Sequence, residues 1–524
     1  MELRTQLQTA FDADYYRDKY IRPAARISPE DCFNHFVQVG FRKGYVPVRA
    51  DVFDEEFYLA YYADVNAARK RGSLPSGYYH YMMSGRSEGR APTYDAGRLL
   101  ATKLGDVAQP VGLSQVHVIE ERLKPLKIRI TDSRPVVLNV FIPTLDPDLM
   151  FGGYIAFISF LCCLIAAGHR VRLLVLEDFY SSLEWFFHRC KVSRPHWFQA
   201  AVQMEFVNCT QKNIEIECND EDLCIAYSTW TMHDASQVAA QLRTKQVLFF
   251  IQEYEPAFNA NDALQFATAA AYRLPHVAVF NSELLKDYFQ RHKIGVFSQK
   301  GGKWLTFQHA ISAPPADLSE LTRPGRPRRL ICYARPEKHA GRNLFEIAVL
   351  ALRKAIANGV FDADWTFHGV GALGHDYQIE LGGGRTMEII PKLPQHDYEA
   401  LLRSFDVGLS LMWAPHPSVL PFEFARAGIV TVTNEYAVRT RRRLRRFGFN
   451  IVGATATIAG IAEALGIAVT RSANVKARMR GAAGKWPTDW DAVFDAGFLA
   501  SLEQVFPINA TRAGPDPQVA HAVV

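Results

Sequence analysis

A chain of 524 residues is longer than one hydrophobic core supports and predicts two to four domains. Its 48% hydrophobic and 22% charged residues describe an ordinary soluble globular protein, and a net charge of +5 over this length makes no case for nucleic-acid binding. Its eight cysteines form no C-x-x-C pair and no Cys/His ligand spacing, which argues against a structural zinc and a disulfide framework and for a reducing cytosol.

The polar, acidic start predicts no signal peptide. Tyr154 to Ala167 is the most apolar segment, yet it is shorter than the ~20 residues a membrane span needs, so it reads as a buried helix. The expected location is cytoplasmic, with any membrane contact peripheral and at the inner face.

Residues 1–95 contain a repeat. Phe11-Asp-Ala-Asp-Tyr-Tyr16 recurs as Phe53-Asp-Glu-Glu-Phe-Tyr58, and His35 to Gly44 recurs as His80 to Gly89. Each copy reads as two short helices with an aromatic face, closed by a Gly turn and a proline (Pro47, Pro92). A docking or substrate-orienting module is one reading; an aromatic core is favoured, because aromatics at helical spacing usually pack inward. Residues 96–134 read as a polar linker with some helix.

At Pro135 the pattern changes. Val136–Ile142 reads as a strand, followed by a loop with Gly152 and Gly153, the apolar helix, and a strand at Val171–Leu176. Further strands are expected at Leu223–Ala226, Gln246–Ile251 and Val277–Phe280. A second alternating series runs through Arg329–Tyr333, Trp365–His368, Met387–Ile390, Val407–Leu411 and Ile429–Thr433. The expected fold is therefore α/β, with two Rossmann-like domains facing a cleft after a small α-helical repeat domain. Residues 135–313 form the first, 314–328 a Pro-rich interdomain linker, and 329–485 the second. Residues 486–524 form a crossover helix, Trp490–Val505, and a tail.

The stretch Trp413 to Gly428 lies between two expected strands, with helix signals from Pro421 to Ala427 and a glycine stop at Gly428. Backbone N–H groups at the head of such a helix, around His416, Ser418, Val419 and Leu420, suit a phosphate or diphosphate. Glu423, about a turn in, is placed to accept hydrogen bonds from a ribose. Arg335, Lys338 and Arg342 follow another strand end, where cations neutralise a diphosphate leaving group.

Gln252-Glu-Tyr-Glu-Pro256 follows a strand end, so Glu253 or Glu255 is placed to orient an acceptor hydroxyl; a plain turn closed by Pro256 is the equal alternative. Gly369 and Gly371 close a strand with small residues that admit a ligand close to the backbone. His233 is a sugar-contact candidate, although a lone histidine is more often structural. Asp146-Pro-Asp148 imitates a metal-binding triplet, but such triplets recur in the chain and no metal is expected. The basic run Arg439–Arg446 reads as a solvated helix face, with an anionic membrane or acceptor as the alternative.

From Pro135 onward the chain resembles GT-B glycosyltransferases of family 4, and more narrowly bacterial surface-glycan rhamnosyltransferases. The resemblance rests on Gln252-Glu-Tyr-Glu-Pro256, Phe280-Asn-Ser282, Tyr333-Ala-Arg-Pro336 and His416-Pro-Ser-Val-Leu-Pro-Phe-Glu423 with Gly428. The N-terminal repeat resembles units often fused to such enzymes. The resemblance implies a hexosyltransferase, retaining and metal-independent, with no cofactor besides its nucleotide-sugar donor, dTDP-rhamnose, and with a glycan or lipid-linked glycan as acceptor. It implies that the nucleotide is held mainly by the C-terminal domain, leaving residues 135–313 as the acceptor side, and that no dedicated base is required. Arg335, Glu253 and Glu255 are the catalytic candidates, and Gly152, Gly153, Arg335, Lys338, Arg342, His416, Ser418, Val419 and Leu420 the candidates to hold diphosphate and sugar. Gly369, Gly371, Leu393 and Glu423 would hold the nucleotide, and His233 and Tyr254 would line the acceptor side. In the family pattern Glu-x7-Glu the first position is Pro415 here, a departure compatible with a deoxy-sugar donor. A UDP- or GDP-sugar donor and a noncatalytic glycan-assembly partner stand as alternatives; the linkage and oligomeric state are not legible.

Overall fold

A computed structural model describes residues 4, 7, 8, 11–21, 27–86, 88, 90–93, 113–145, 152–178, 186, 187, 190, 191, 195–371, 378–390, 395–484 and 486–512. Asp146-Pro-Asp148, Leu393 and the tail beyond residue 512 lie outside these, as do the side chain of Lys338 and residues 96–112 of the expected linker. The chain forms two compact units, Met1–Glu120 and Glu121–Val524.

In the first unit the repeat becomes two copies of one lock. Asp12 and Asp54 cap the helices Ala13–Tyr20 and Glu55–Tyr61, and their own N–H groups donate to Pro47 and Pro92 carbonyls. Tyr16 and Tyr58 reach inward to the Nδ1 atoms of His35 and His80, each at 3.0 Å. Each hydroxyl lies where a Cβ of Gly40 or Gly85 would be, which explains why both copies end their second helix in glycine. A π-helical turn, Phe36–Gly40 or Tyr81–Gly85, brings that glycine into position. The second copy contains a further helix, Ala63–Lys70. Phe33, Phe36, Phe53 and Tyr78 fill the core between them.

The second unit contains sixteen strands among its described residues: β1 (Lys127–Ile130), β2 (Leu138–Thr144), β3 (Val171–Asp178), β4 (Glu205–Asn208), β5 (Glu215–Cys218), β6 (Leu223–Ala226), β7 (Val247–Ile251), β8 (Val277–Asn281), β9 (Trp304–Phe307), β10 (Arg328–Tyr333), β11 (Trp365–Val370), β12 (Gln378–Gly382), β13 (Arg385–Ile390), β14 (Val407–Leu409), β15 (Val430–Asn434) and β16 (Ile451–Ala454). β1 and β5 form a small separate pair. The others form two seven-stranded sheets, ordered β4-β3-β2-β6-β7-β8-β9 and β12-β13-β11-β10-β14-β15-β16. Every pairing in them is parallel except β12–β13. This is the GT-B pairing of two Rossmann-like domains.

Strands such as β7, apolar and buried throughout, are covered on both faces, as parallel sheets require. In the first domain the uncharged helix Gly152–Ala166 packs on one face and Thr229–Ala239 on the other. In the second, Phe345–Ala357 and Ile458–Ser472 cover one face and Leu420–Arg426 the other. The chain then returns to the first domain, where Phe494, Leu502 and Phe506 enter the core around Phe160. The outgoing and returning segments meet where the Ile311 N–H donates to the Pro487 carbonyl at 2.9 Å.

Candidate functional site

Strand order reverses between β2 and β6 in one sheet and between β10 and β14 in the other. Open parallel sheets bind ligands beyond the carboxyl ends of their strands at such points. The two points face each other: a Cβ built on Gly152, after β2, would be 3.4 Å from Val419 Cγ2, after β14. Gly153 is tighter, since its Cβ would be 3.0 Å from the Tyr227 hydroxyl beside Gln252.

On the first domain's wall, β7 ends and Gln252 and Glu253 follow. Gln252 Oε1 accepts from Asn281 Nδ2 at 2.6 Å, and that amide group also contacts His309 Nδ1 at 3.3 Å. Burial pushes the Glu253 carboxyl up to about 7, against the pull of Arg342 and Arg439 from the other domain and with a small push from Glu255. Its Oε2 is buried without a hydrogen-bond partner.

Glu255 does not join it. Residues Glu255–Phe258 form a 3₁₀ turn, so the two carboxylates diverge rather than alternate along an extended chain. Glu255 accepts from the Thr229 N–H and hydroxyl, fixing the start of the helix Thr229–Ala239. Tyr254 packs among Tyr272, Tyr288 and Phe289, and His233 Nε2 meets the Ala267 carbonyl at 3.0 Å. These three residues are held by protein groups, so only Glu253 of this set faces the cleft.

On the opposite wall, Arg335 is 8% exposed, with its Nε 2.8 Å from Glu337. The Arg342 guanidinium lies 4.4 Å from the ring centre of Phe258, a cation–π contact between the domains. Arg342 also holds the following loop, its carbonyl accepting from the Trp413 N–H at 2.7 Å.

Arg439 is the main departure from the sequence reading. Far from lying on a solvated face, it is fully buried and donates to the His416 and Met412 carbonyls, fixing the loop before Glu423. Its Nε has no hydrogen-bond partner, and burial lowers its pKa to about 10. Arg443 of the same run bridges to Asp287 of the first domain, while Arg441, Arg442, Arg445 and Arg446 are exposed.

The helix Leu420–Arg426 also differs from expectation. Pro421 carries no N–H, and the Ser418 N–H is already donated to His416 Nδ1 at 3.2 Å, so the helix head offers fewer donors than its sequence promised. Ser418 adopts φ +67, a left-handed conformation strained for a non-glycine residue. Burial, with smaller contributions from His309, Arg439 and Arg342, holds His416 neutral with a pKa of about 3. Glu423 is raised to about 7, chiefly by burial and then by Glu399.

Gly369 and Gly371 open no space for a ligand. A Cβ on Gly369 would be 2.5 Å from Ile389 Cδ1, and one on Gly371 would be 2.5 Å from the Tyr333 ring. Both glycines serve close internal packing. Among the described residues no three His, Cys, Asp or Glu side chains gather as a metal site, and no helix is long and apolar enough to cross a membrane.

Residues that sequence reasoning left without a role are Gln252, Asn281, His309 and Arg439. Gln252 and Asn281 carried a usable signal, since both sit at strand ends. His309 follows the short, unforeseen β9, and nothing local separates Arg439 from its exposed neighbours.

Residues 137–283 match the WsaF N-terminal domain, and residues 328–466 match the WsaF C-terminal domain. The chain carries both WsaF domains. They cover every strand of the first sheet except β9 and all seven strands of the second, so the WsaF pair supplies most of both walls of the cleft. The O-antigen biosynthesis protein RfbC of Myxococcus xanthus is 31% identical over 282 residues, which are 52% of this chain and 20% of that protein. The chain thus spans about a fifth of that relative's length. Among solved structures, Anabaena HepE with UDP and glucose has a TM-score of 0.48 at 13% identity, covering 70% of this chain and 100% of HepE. Sucrose-phosphate synthase from Thermosynechococcus elongatus has a TM-score of 0.47 at 12% identity, covering 70% of this chain and 97% of the synthase.

Proposed function

We propose that this WsaF-type chain is a glycosyltransferase that moves a sugar from a nucleotide diphosphate donor onto a growing surface polysaccharide. The observation that carries the reading is the meeting of the two walls: Arg342 of one domain rests on Phe258 of the other, five residues beyond the buried Glu253, and Gly152 lies against Val419. A phosphorylated donor between these walls would meet cations on its diphosphate side and a carboxyl on its acceptor side. Arg335 and Arg342 would neutralise charge as the diphosphate departs. Glu423, when ionised, would accept the ribose hydroxyls. Glu253, with a pKa near neutrality, would orient the acceptor hydroxyl and share its proton.

The finer reading is rhamnose from dTDP-rhamnose, transferred with retention, without a metal, to a glycan or lipid-linked glycan at the inner face of the membrane. Its support is the resemblance to family 4, the replacement of the first family glutamate by Pro415, and the similarity to a relative named for O-antigen biosynthesis. Pro415 also favours a second reading, a noncatalytic partner in glycan assembly.

Thermal-shift measurements of the full chain with dTDP, UDP, GDP and their sugars, with EDTA and with magnesium, test the proposal. A shift selective for dTDP and dTDP-rhamnose in EDTA is expected. A UDP- or GDP-selective shift would replace the donor, a shift requiring magnesium would remove the metal independence, and no shift with any nucleotide would bring the noncatalytic reading forward.

A further inference from the structure

Three polar groups meet on the first domain's wall of the cleft. Gln252 is 8% exposed and Asn281 2%, yet Gln252 Nε2 and Asn281 Oδ1 are both buried without a hydrogen-bond partner. Leaving one such group unmet costs roughly 1–3 kcal/mol. Two side by side in a folded interior therefore call for an explanation.

The internal bonds define what remains open. The Asn281 amide uses its two hydrogens on Gln252 Oε1 and His309 Nδ1, so that imidazole nitrogen accepts and the ring proton is on Nε2. His309 Nε2 is 3.9 Å from where a Gly152 Cβ would be, on the same side as Val419 of the second domain. The array thus leaves an amide N–H and an amide oxygen unmet in the wall, with an imidazole N–H beside Gly152. Reversing both amides leaves the same balance of one amide donor and one amide acceptor.

A neutral donor–acceptor pair beside a carboxyl excludes several occupants. An anion would find no cation among these three groups and would meet Glu253, and an alkyl chain would leave both amide atoms unmet. A hydroxyl donates and accepts at once, so two neighbouring hydroxyls satisfy the array. The array belongs to the first domain's wall and the cations and Glu423 to the other, with His309 bordering the His416–Val419 loop between them.

We propose that Gln252, Asn281 and His309 form a recognition site for two neighbouring hydroxyls on a pyranose ring of the acceptor. This deepens the glycosyltransferase reading and rests on it. Sites built to hydrogen-bond a hydroxyl strongly reject analogues that lack it, so the array would select an acceptor sugar rather than a simple alcohol.

Saturation-transfer NMR on the full chain tests this with methyl α-rhamnopyranoside, cis-1,2-cyclohexanediol and cyclohexanol as probes. Transfer to the pyranoside and the diol, but not to cyclohexanol, is expected. Gln252→Met and His309→Phe should each weaken pyranoside binding by about tenfold, the loss of one neutral hydrogen bond. Equal transfer to diol and cyclohexanol, or wild-type binding by folded Gln252→Met and His309→Phe, would overturn the proposal. If neither variant folds, the wild-type comparison of diol and cyclohexanol decides it alone. Displacement of the pyranoside by a nucleotide sugar, but not by its free nucleotide, would assign the array to the donor sugar and overturn the acceptor assignment. Nucleotide thermal shifts on the same protein separate the failures: a nucleotide shift without pyranoside binding sinks this inference alone, and the reverse sinks the donor reading alone.

Discussion

Glu423→Gln tests whether the helix after β14 holds a carboxyl in a poorly solvated place. The Glu423 pKa is raised from 4.5 to about 7, so the folded protein favours its protonated form. Such a group stabilises the fold fully below about pH 4.5, and the benefit is lost as pH rises through about 7. The shift corresponds to about 3 kcal/mol. Because the side chain retains some solvent exposure, about half of that is the working figure, or about 1–2 kcal/mol. Glutamine keeps the shape without the charge, so the variant should match the wild type at about pH 4.5 and exceed it by about 1–2 kcal/mol at about pH 8. Urea denaturation at both values measures this. A ribose hydroxyl donating to the carboxylate would favour its ionised form, so wild-type nucleotide affinity should rise between about pH 6 and pH 8 and lose that slope in the variant. A stability difference independent of pH would refute the buried, proton-holding carboxyl.

Glu253→Gln should lower sugar transfer by about 100-fold while leaving nucleotide affinity within about twofold, read by steady-state rates and calorimetry. Arg439→Lys keeps the charge but loses the fork that reaches both loop carbonyls; an expected cost of about 1–2 kcal/mol is measured by denaturation. Gly85→Ala puts a methyl group 2.0 Å from the Tyr58 hydroxyl, which must leave His80, so the helical repeat unit should lose about 1–3 kcal/mol, seen as earlier melting.

The central strands were legible because both of their faces are buried and their sequences are continuously apolar, as in Leu223–Ala226 and Val247–Ile251. The edge strands were not. Glu205–Asn208 and Gln378–Gly382 have partly solvated side chains and charges that resemble loop. Strand-end position drew attention to Glu253 and Arg342, which the fold puts on opposite domains of the cleft. It could not tell Glu253 from Glu255, because a one-residue change from extended chain to 3₁₀ turn decides which carboxylate reaches the cleft. The burial of Arg439 depends on carbonyls of Met412 and His416, more than twenty residues earlier, and no local pattern carries that information.

The return of the chain to its first Rossmann-like domain has a mechanical consequence. One linker would leave the domains free to swing and slide in any direction. Here the chain crosses twice, and the crossings are tied by the hydrogen bond from Ile311 to Pro487. Such a double strap resists separation and sliding and leaves rotation about itself as the soft movement, opening and closing the cleft along a single arc. It also means that cutting the chain between the domains would strip Phe494, Leu502 and Phe506 from the first core, so neither half can be isolated intact by division at residues 314–328.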